Sequence, residues 1–344
     1  LNEQICWGAG IDYDLLYPII IKTTDGGITW QEYRITNAPD LNDIFFFDSS
    51  NGIAVGSDGS LSGNGGYIYK TTDGGITWNI IFTGLRCGKI EFSDSINGFA
   101  FGENGTIIKT TDGGVSWNYV TSGTNSNLSS ISVINNIICT AVGTDGTIIK
   151  SYDAGYTWFN LSGMTDFDIY SLEFTDHNNG IGVGLGGRII QTNNGGNTWV
   201  LNSYTASTWA LYSVTYPDSN NIWASSHSGT IIHSSDAGNS WVLQNSGITT
   251  PLHSIYFINN QVGWAAGNGG VILKTTDGGN NWIPQNSQTT RWLFSIYFLD
   301  ENSGWAAGSY STVIKTTNGG TNWQALTIPG IQFIEGIYFV NDNV

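Results

Sequence analysis

The sequence predicts an all-β fold, a single eight-bladed β-propeller built from four-stranded antiparallel blades. Two observations lead to this prediction. An octapeptide whose best copies read Thr-Thr-Asp-Gly-Gly-Ile-Thr-Trp returns eight times, at intervals of about 40 residues. The two ends of the chain also supply complementary parts of one repeat. A turn and an aromatic residue in every unit of this length are typical of radially repeated β-sheets.

The repeat at residues 292–326 shows how one blade is built. Four short runs, rich in aromatic and β-branched side chains, are separated by Gly, Asn, Asp or Ser; they are 294–298, 303–308, 312–316 and 322–326. Runs of this length with these boundaries predict an antiparallel meander. The octapeptide spans the hairpin between the third and fourth strands, where its glycines supply positive φ. We expect its closing Trp to fill the core between neighbouring blades.

The two ends of the chain predict ring closure. Segment 336–340 matches a first strand but has no second strand after it, whereas segment 4–9 matches a second strand. We expect these segments to pair, since pairing removes two free sheet edges. A seven-bladed ring with one irregular unit is the alternative. In the eight-bladed arrangement one domain spans 1–344, with blades at 331–344 joined to 1–35, 41–83, 88–121, 128–161, 168–202, 209–244, 252–286 and 292–326.

Composition restricts the partners of the protein. The 344 residues carry a formal net charge of −16, because only 11 Lys and Arg stand against 27 Asp and Glu. Such a surface repels phosphates and anionic lipids, so we expect neither a nucleic-acid partner nor membrane insertion. The three cysteines, Cys6, Cys87 and Cys139, are interpreted as buried unpaired thiols, with a disulfide or a reactive thiol as the alternative.

No cofactor fingerprint or metal-ligand spacing is recognisable. The four histidines are scattered over different repeats, so no transition-metal site is expected. Calcium at Asp12 with Asp14, or at Asp166 with Asp168, is a less favoured alternative, because neither pair has the ligand number of a calcium loop.

The octapeptide pattern Ser/Thr-x-Asp-x-Gly-x-Thr-Trp resembles the Asp-box, or BNR repeat. This repeat occurs in sialidases, xyloglucan-cleaving glycoside hydrolases, sortilin-type receptors and photosystem II assembly factors. The longer phrase Gly-x-Ile-Ile-Lys-Thr-Thr-Asp-Gly-Gly is most similar to the assembly-factor type and its relatives among secreted bacterial surface proteins. The resemblance implies an extracytoplasmic location, whether secreted, at the cell surface or periplasmic.

The third position of the octapeptide is interpreted as structural. An Asn there keeps the acceptor oxygen that the turn needs but has no charge, which argues against catalysis or calcium binding. The eight residues at this position are Asp25, Asp73, Asp112, Asp153, Asn194, Asp236, Asp277 and Asn318.

Turn geometry separates two faces of the ring. The octapeptide hairpins share one face with the turns between first and second strands. The loops between second and third strands share the opposite face with the interblade segments, and two of these loops, 11–18 and 57–66, are expanded. Expanded loops on a rigid scaffold commonly carry function. Candidate binding residues on this loop face are Asp12, Tyr13, Asp14, Tyr17, Asp40, Arg86, Asp166, Asp168, Trp209, His253, Arg291, Trp292, Phe333 and Glu335.

A lysine precedes the octapeptide in six repeats. Alternation along the third strand predicts a solvated face for these side chains. They are Lys22, Lys70, Lys109, Lys150, Lys274 and Lys315.

These patterns favour a non-catalytic extracytoplasmic propeller that binds a protein or a glycan, as a scaffold module or as an accessory subunit of a larger surface or membrane-associated assembly. One alternative is a xyloglucanase-like hydrolase with carboxylates drawn from Asp40, Asp166, Asp168 and Glu335. Another is a homo-oligomeric envelope protein. A sialidase is disfavoured because the chain has only four arginines. For the same reason, the arginine patch implied by the assembly-factor resemblance cannot be assigned to particular residues.

Overall fold

The structure is a computed structural model, and it describes residues 5–12, 17–26, 29–35, 40–57, 65–134, 137–161, 163, 165–202, 209–310, 312–326 and 333–339. Its strands form eight four-stranded antiparallel sheets arranged in a ring. The predicted eight-bladed propeller is therefore confirmed, and the seven-bladed alternative is wrong. Within the described residues, no helix is long and apolar enough to cross a membrane.

The strands are numbered in chain order, and blade 1 contains both ends of the chain. The first strands of blades 1 to 8 are β32 (Phe333–Phe339), β4 (Asp40–Phe46), β8 (Cys87–Phe92), β12 (Leu128–Val133), β16 (Ile169–Phe174), β20 (Leu211–Thr215), β24 (Leu252–Phe257) and β28 (Leu293–Phe298). The second strands are β1 (Cys6–Asp12), β5 (Gly52–Ser57), β9 (Gly98–Gly102), β13 (Cys139–Gly143), β17 (Gly180–Gly184), β21 (Ile222–Ser226), β25 (Gly263–Gly267) and β29 (Gly304–Gly308).

The third and fourth strands flank the octapeptide hairpins. The third strands are β2 (Tyr17–Thr23), β6 (Gly66–Thr71), β10 (Ile107–Thr110), β14 (Ile148–Ser151), β18 (Ile189–Thr192), β22 (Ile231–Ser234), β26 (Ile272–Thr275) and β30 (Val313–Thr316). The fourth strands are β3 (Gln31–Arg34), β7 (Asn79–Gly84), β11 (Asn118–Val120), β15 (Phe159–Asn160), β19 (Val200–Asn202), β23 (Val242–Gln244), β27 (Ile283–Gln285) and β31 (Gln324–Leu326).

The ring is closed by the two ends of the chain, as predicted. β32 pairs antiparallel with β1, with Trp7 opposite Tyr338 and Cys6 opposite Phe339. A register shift at Ala9 lets the pairing continue beyond the predicted segment, as far as Phe333. First strands of neighbouring blades contact one another all around the ring, so they lie nearest its axis.

The hydrophobic core lies between the blades. Eight separate clusters each join two neighbouring blades, and the second strands, which are covered on both sides, are almost completely buried. The closing tryptophans occupy these clusters; Trp199 and Trp323 are 3% and 1% exposed. The prediction that they belong to the core is confirmed. Fully burying an aromatic side chain contributes about 2–3 kcal/mol, so the seams between blades contribute much of the stability.

An irregularity near the start of the first strands positions the candidate site. Register shifts occur between Leu211 and Ser213, between Leu252 and Ser254, and between Leu293 and Ser295. A β-bulge leaves one extra residue outside the regular pairing and turns its side chain. Tyr212, His253 and Phe294 are the extra residues of blades 6, 7 and 8.

Two of the three cysteines lie in the described core. Cys87 and Cys139 are buried free thiols, as interpreted from the sequence. Burial raises the pKa of each thiol to about 12, so both are protonated at neutral pH. The side chain of Cys6 lies outside the described residues.

Candidate binding face

The two faces of the ring carry the loops that the sequence assigns to them. On one face, the octapeptide hairpin is bonded to the turn between first and second strands, as in Gly74 N to Ser50 O at 2.7 Å. On the opposite loop face, the loop between second and third strands is bonded to the interblade segment. An example is Asn268 N, which donates to Pro251 O at 2.9 Å.

The octapeptide carboxylates are used inside their own hairpins. Asp112 accepts hydrogen bonds from Ser116 Oγ at 2.6 Å and from Thr110 Oγ1 at 2.8 Å, and also from two backbone amides. Slight burial opposes ionisation, but the hydrogen bonds from Ser116 and Thr110 outweigh it and lower the pKa of Asp112 to about 2. Asn194 keeps the same geometry: its Oδ1 accepts from Thr198 N, and its Nδ2 donates to Thr198 Oγ1.

The interpretation of the third-strand lysines as solvated is wrong for the two that are buried, and the other four are only partly exposed. Lys109 and Lys150 are 4% and 1% exposed. Lys22 donates to the carbonyl of Gly74 at 2.9 Å, and Lys274 donates to Gly319 at 2.8 Å; both acceptors lie in the hairpin of the next blade. The face of a third strand that alternation assigns to solvent is covered by its neighbouring blade.

Seven predicted binding residues have described side chains. They are Arg86, Asp166, Asp168, Trp209, His253, Arg291 and Trp292. Tyr13 and Asp14 lie outside the described residues, as does most of the expanded loop at 57–66. The other five belong to described strands, but their side chains lie outside the description: Asp12, Tyr17, Asp40, Phe333 and Glu335.

Three of the predicted residues hold loops together. Asp166 pairs with Arg188 at 2.6 Å, and Arg86 pairs with Glu103 at 3.3 Å. Asp168 Oδ1 accepts a hydrogen bond from the backbone of Asp145 at 3.0 Å. Asp166 and Asp168 are therefore already engaged with other groups of the loop face. Among the described residues, no cluster of His, Cys, Asp or Glu has the makings of a metal site.

Three other predicted residues meet in one surface, which we call the aromatic arc. Its side chains come from the loop face of blades 6, 7 and 8 and are Trp209, Tyr212, His227, His253, Trp292 and Phe294. Trp209 stacks on His227 with ring centroids 5.1 Å apart, and Tyr212 stacks on His253 at 5.3 Å. Phe294 meets both His253, at 5.4 Å, and Trp292, at 6.4 Å, edge to face.

The aromatic arc combines exposed and half-buried rings. Trp209 and Trp292 are 54% and 52% exposed, whereas His253 is partly covered and hydrogen-bonds Asn268 at 2.7 Å. Burial lowers the pKa of His253, and the nearby His227 lowers it further, so His253 is neutral at neutral pH. At one end of the aromatic arc, the Arg291 guanidinium lies over the Tyr310 ring at 4.1 Å. The surface is mainly apolar, with hydrogen-bonding groups at its edges.

Sequence reasoning missed half of the aromatic arc. Phe294 was taken as part of a first strand, Tyr212 was not singled out, and His227 was noted only as one of four scattered histidines. Their signal is positional, since Tyr212, His253 and Phe294 each follow the first residue of a first strand in three consecutive repeats. A shared position at a bulge places them side by side around the channel mouth.

Two carboxylates missed by the sequence analysis lie deeper in the ring. Glu91 and Glu173 come from the first strands of blades 3 and 5, which are not neighbours, yet their charges interact. Both side chains are exposed to solvent on the first strands, which lie nearest the axis of the ring, in the central channel that the ring encloses. Desolvation by the protein around the channel raises the pKa of each to about 7, and the charges of Asp43 and Glu173 add to the effect at Glu91.

Comparison with known families agrees with this architecture. Residues 82–166 and 200–276 match the family model described as photosynthesis system II assembly factor YCF48. The chain is a BNR-type β-propeller. It resembles the YCF48 type of this fold, as its octapeptide phrase predicts. No curated protein matches the chain.

Solved structures show the same fold at low sequence identity. A structure of YCF48 bound to a D1 peptide is 21% identical, with a TM-score of 0.61, over 81% of this chain and 91% of that one. YCF48 from Cyanidioschyzon merolae is 19% identical, with a TM-score of 0.60, over 80% and 94%. The computationally designed Ika8 protein is 14% identical, with a TM-score of 0.67, over 86% and 88%. At these identities the likeness concerns the fold.

Proposed function

We propose that this BNR-type propeller is a non-catalytic protein-binding module and that the aromatic arc is its contact surface. One observation carries the proposal: six aromatic and imidazole side chains from three consecutive blades join in one surface, with two tryptophans more than half exposed. Rigid aromatic side chains supply large contact areas at small entropic cost and are enriched at protein interfaces.

The charge of the chain and its likeness to YCF48 support a peptide or protein partner with a neutral or basic surface. With a net charge of −16, the chain favours a neutral or basic partner surface over an acidic one. The solved YCF48 structure with a D1 peptide supports a peptide or protein as the kind of partner. We place the propeller outside the cytoplasm, as an accessory subunit of a surface or membrane-associated assembly, on the basis of its likeness to secreted bacterial surface proteins.

The test is recovery of the partner from native cells by affinity purification and mass spectrometry. The double variant Trp209→Ala, Trp292→Ala removes the two exposed rings of the aromatic arc. The matched control is Ile76→Ala, Val115→Ala, which removes apolar side chains that are 58% and 62% exposed on the opposite face. We expect the partner to be lost with the first variant and kept with the control. A partner retained by the first variant, or lost equally from both, contradicts the proposal.

A further inference from the structure

The lysine that precedes the octapeptide in blade 3 differs from the other five. Each of those donates a hydrogen bond to a carbonyl in the next blade; they are Lys22, Lys70, Lys150, Lys274 and Lys315. Within the described part of the chain, the ammonium of Lys109 has no hydrogen-bond acceptor, although the side chain is 4% exposed. It lies between the rings of Phe99 and Tyr156, 4.9 Å from each centroid. The two rings stabilise the cation through cation–π contacts but leave its N–H groups without an oxygen acceptor, which a ligand in the groove can supply.

A groove of about 680 Å³ opens beside Lys109, between β11 of blade 3 and the octapeptide hairpin of blade 4. Tyr156 lines it with a side chain that is 61% exposed. Tyr119 also borders the groove, but its ring packs on Phe82 and its hydroxyl accepts from Leu85 N on the blade 2 side of the sheet. Thr111, Asn118 and Thr121 add hydroxyl and amide groups. The groove therefore combines one cation, one exposed aromatic ring and several neutral hydrogen-bonding groups, which is the composition of a small-ligand site.

The two carboxylates that attract Lys109 electrostatically already accept hydrogen bonds from other groups. Asp94 accepts from Ile96 N at 2.8 Å and from Asn97 in its own turn. Asp153 accepts from Thr157 Oγ1 at 2.7 Å and from Ser151 in its own hairpin. Both interact with Lys109 through space only. A further carboxylate, brought by a ligand, would provide the missing acceptor.

We propose that this groove binds a hexuronic acid, with the sugar carboxylate on the ammonium of Lys109 and the sugar ring against Tyr156. The remaining hydroxyl groups of the sugar face Thr111, Asn118 and Thr121. A charge-assisted hydrogen bond to carboxylate gives the selectivity over neutral sugars, since the rest of this acidic protein repels anions. The site lies on blades 3 and 4, away from the aromatic arc, and does not depend on the protein-binding function.

Calorimetric titration of the wild-type protein tests the ligand class directly. The probes are galacturonate and glucuronate, the neutral sugars galactose and glucose, benzoate as a plain aromatic carboxylate, and an oligogalacturonate that separates a single sugar from one within a chain. We expect saturable binding of the uronates, with the neutral sugars weaker by about tenfold or more. Absence of uronate binding, equal binding of galactose, or equal binding of benzoate overturns the proposal.

Variants then test the position of the site. Lys109→Met and Tyr156→Ala should each weaken uronate binding by about tenfold. Lys274→Met is the matched control, because that lysine already has its carbonyl acceptor. The affinity of this variant for the uronates should equal that of the wild type. Wild-type affinity in Tyr156→Ala, or an equal loss in Lys274→Met, contradicts the assignment. If Lys109→Met does not fold, Tyr156→Ala and the NMR shift of the Lys109 ammonium in titrated wild-type protein decide the question.

Discussion

The ammonium of Lys22 lies 2.9 Å from the carbonyl oxygen of Gly74, which belongs to the octapeptide hairpin of the next blade. Trp7 Nε1 donates to the same carbonyl at 3.0 Å. The same combination of lysine and tryptophan joins blades 7 and 8. A charged donor bound to a partly buried carbonyl is stronger than a neutral pair, so these contacts fix each blade against its neighbour.

Replacing this lysine should destabilise the ring. Lys22→Met removes the charged donor and should lower the free energy of unfolding by about 1–3 kcal/mol. Urea unfolding followed by tryptophan fluorescence measures the change. Lys109→Met is the comparison, because it removes a buried charge without removing a hydrogen bond to the neighbouring blade. We expect Lys109→Met to lower the free energy of unfolding clearly less than Lys22→Met does. Equal decreases would show that the carbonyl contact is unimportant.

The octapeptide carboxylate should act through its acceptor oxygens and not through its charge. Asp112→Ala should lower the free energy of unfolding by about 1 kcal/mol, because two backbone amides and two hydroxyls lose their acceptor. Asp112→Asn should lower the free energy of unfolding less at neutral pH, since Asn194 and Asn318 accept the equivalent hydrogen bond in their own octapeptide hairpins. If the Asn variant is as unstable as the Ala variant, charge is required.

Acid should weaken the octapeptide turns over a defined range. The pKa of Asp112 is lowered from 3.8 to about 2 in the folded protein. A lowered folded-state pKa means that its stabilising effect is present above about pH 4 and is lost as pH falls towards 2. The Asp112→Asn variant should therefore lose less stability than the wild type when the pH falls from about 4 to 2. Thermal unfolding between these pH values measures this, and parallel curves for both proteins would contradict it.

The channel carboxylates should give the opposite pH dependence. The pKa values of Glu91 and Glu173 are raised from 4.5 to about 7 in the folded protein. A raised folded-state pKa means that the stabilisation is complete below about pH 4.5 and is lost as pH rises through 7. The double variant Glu91→Gln, Glu173→Gln should unfold at a higher urea concentration than wild type at pH 8, and the difference should shrink at pH 5. A difference independent of pH would refute the channel assignment.

Ring closure should be required for cooperative folding. A chain ending at residue 332 lacks β32, so β1 keeps β2 but becomes an unpaired sheet edge on its other side, and the first-strand ring is interrupted. We expect a broad unfolding transition and association of the truncated chain, measured by calorimetry and light scattering. A chain ending at residue 340 keeps β32 and is the control. A synthetic peptide of residues 331–344 should restore the sharp transition to the truncated chain; normal unfolding without the peptide would contradict the role of β32.

The fold could be predicted because its determinants are local and repeated. Glycine turns, closing tryptophans and short strands occur in every repeat, and the half-repeat at each end leaves one way to close the ring. The lysines were misjudged because strand alternation describes one sheet, whereas a second blade covers the face that carries Lys150. In the aromatic arc, Trp209 and Trp292 could be predicted from their interblade positions. Tyr212 and Phe294 were missed, since the bulge that places them at the loop face is marked only by a position shared between repeats and not by their local sequence.

Site-specific photocrosslinking tests the protein-binding account most directly. A photoreactive benzoylphenylalanine at position 292 lies in the aromatic arc, and the same residue at position 115 lies on the opposite face. In native extracts, we predict one partner crosslinked from position 292 and none from position 115. The same partner crosslinked from position 115, with none from 292, would contradict the assignment of the loop face as the binding surface.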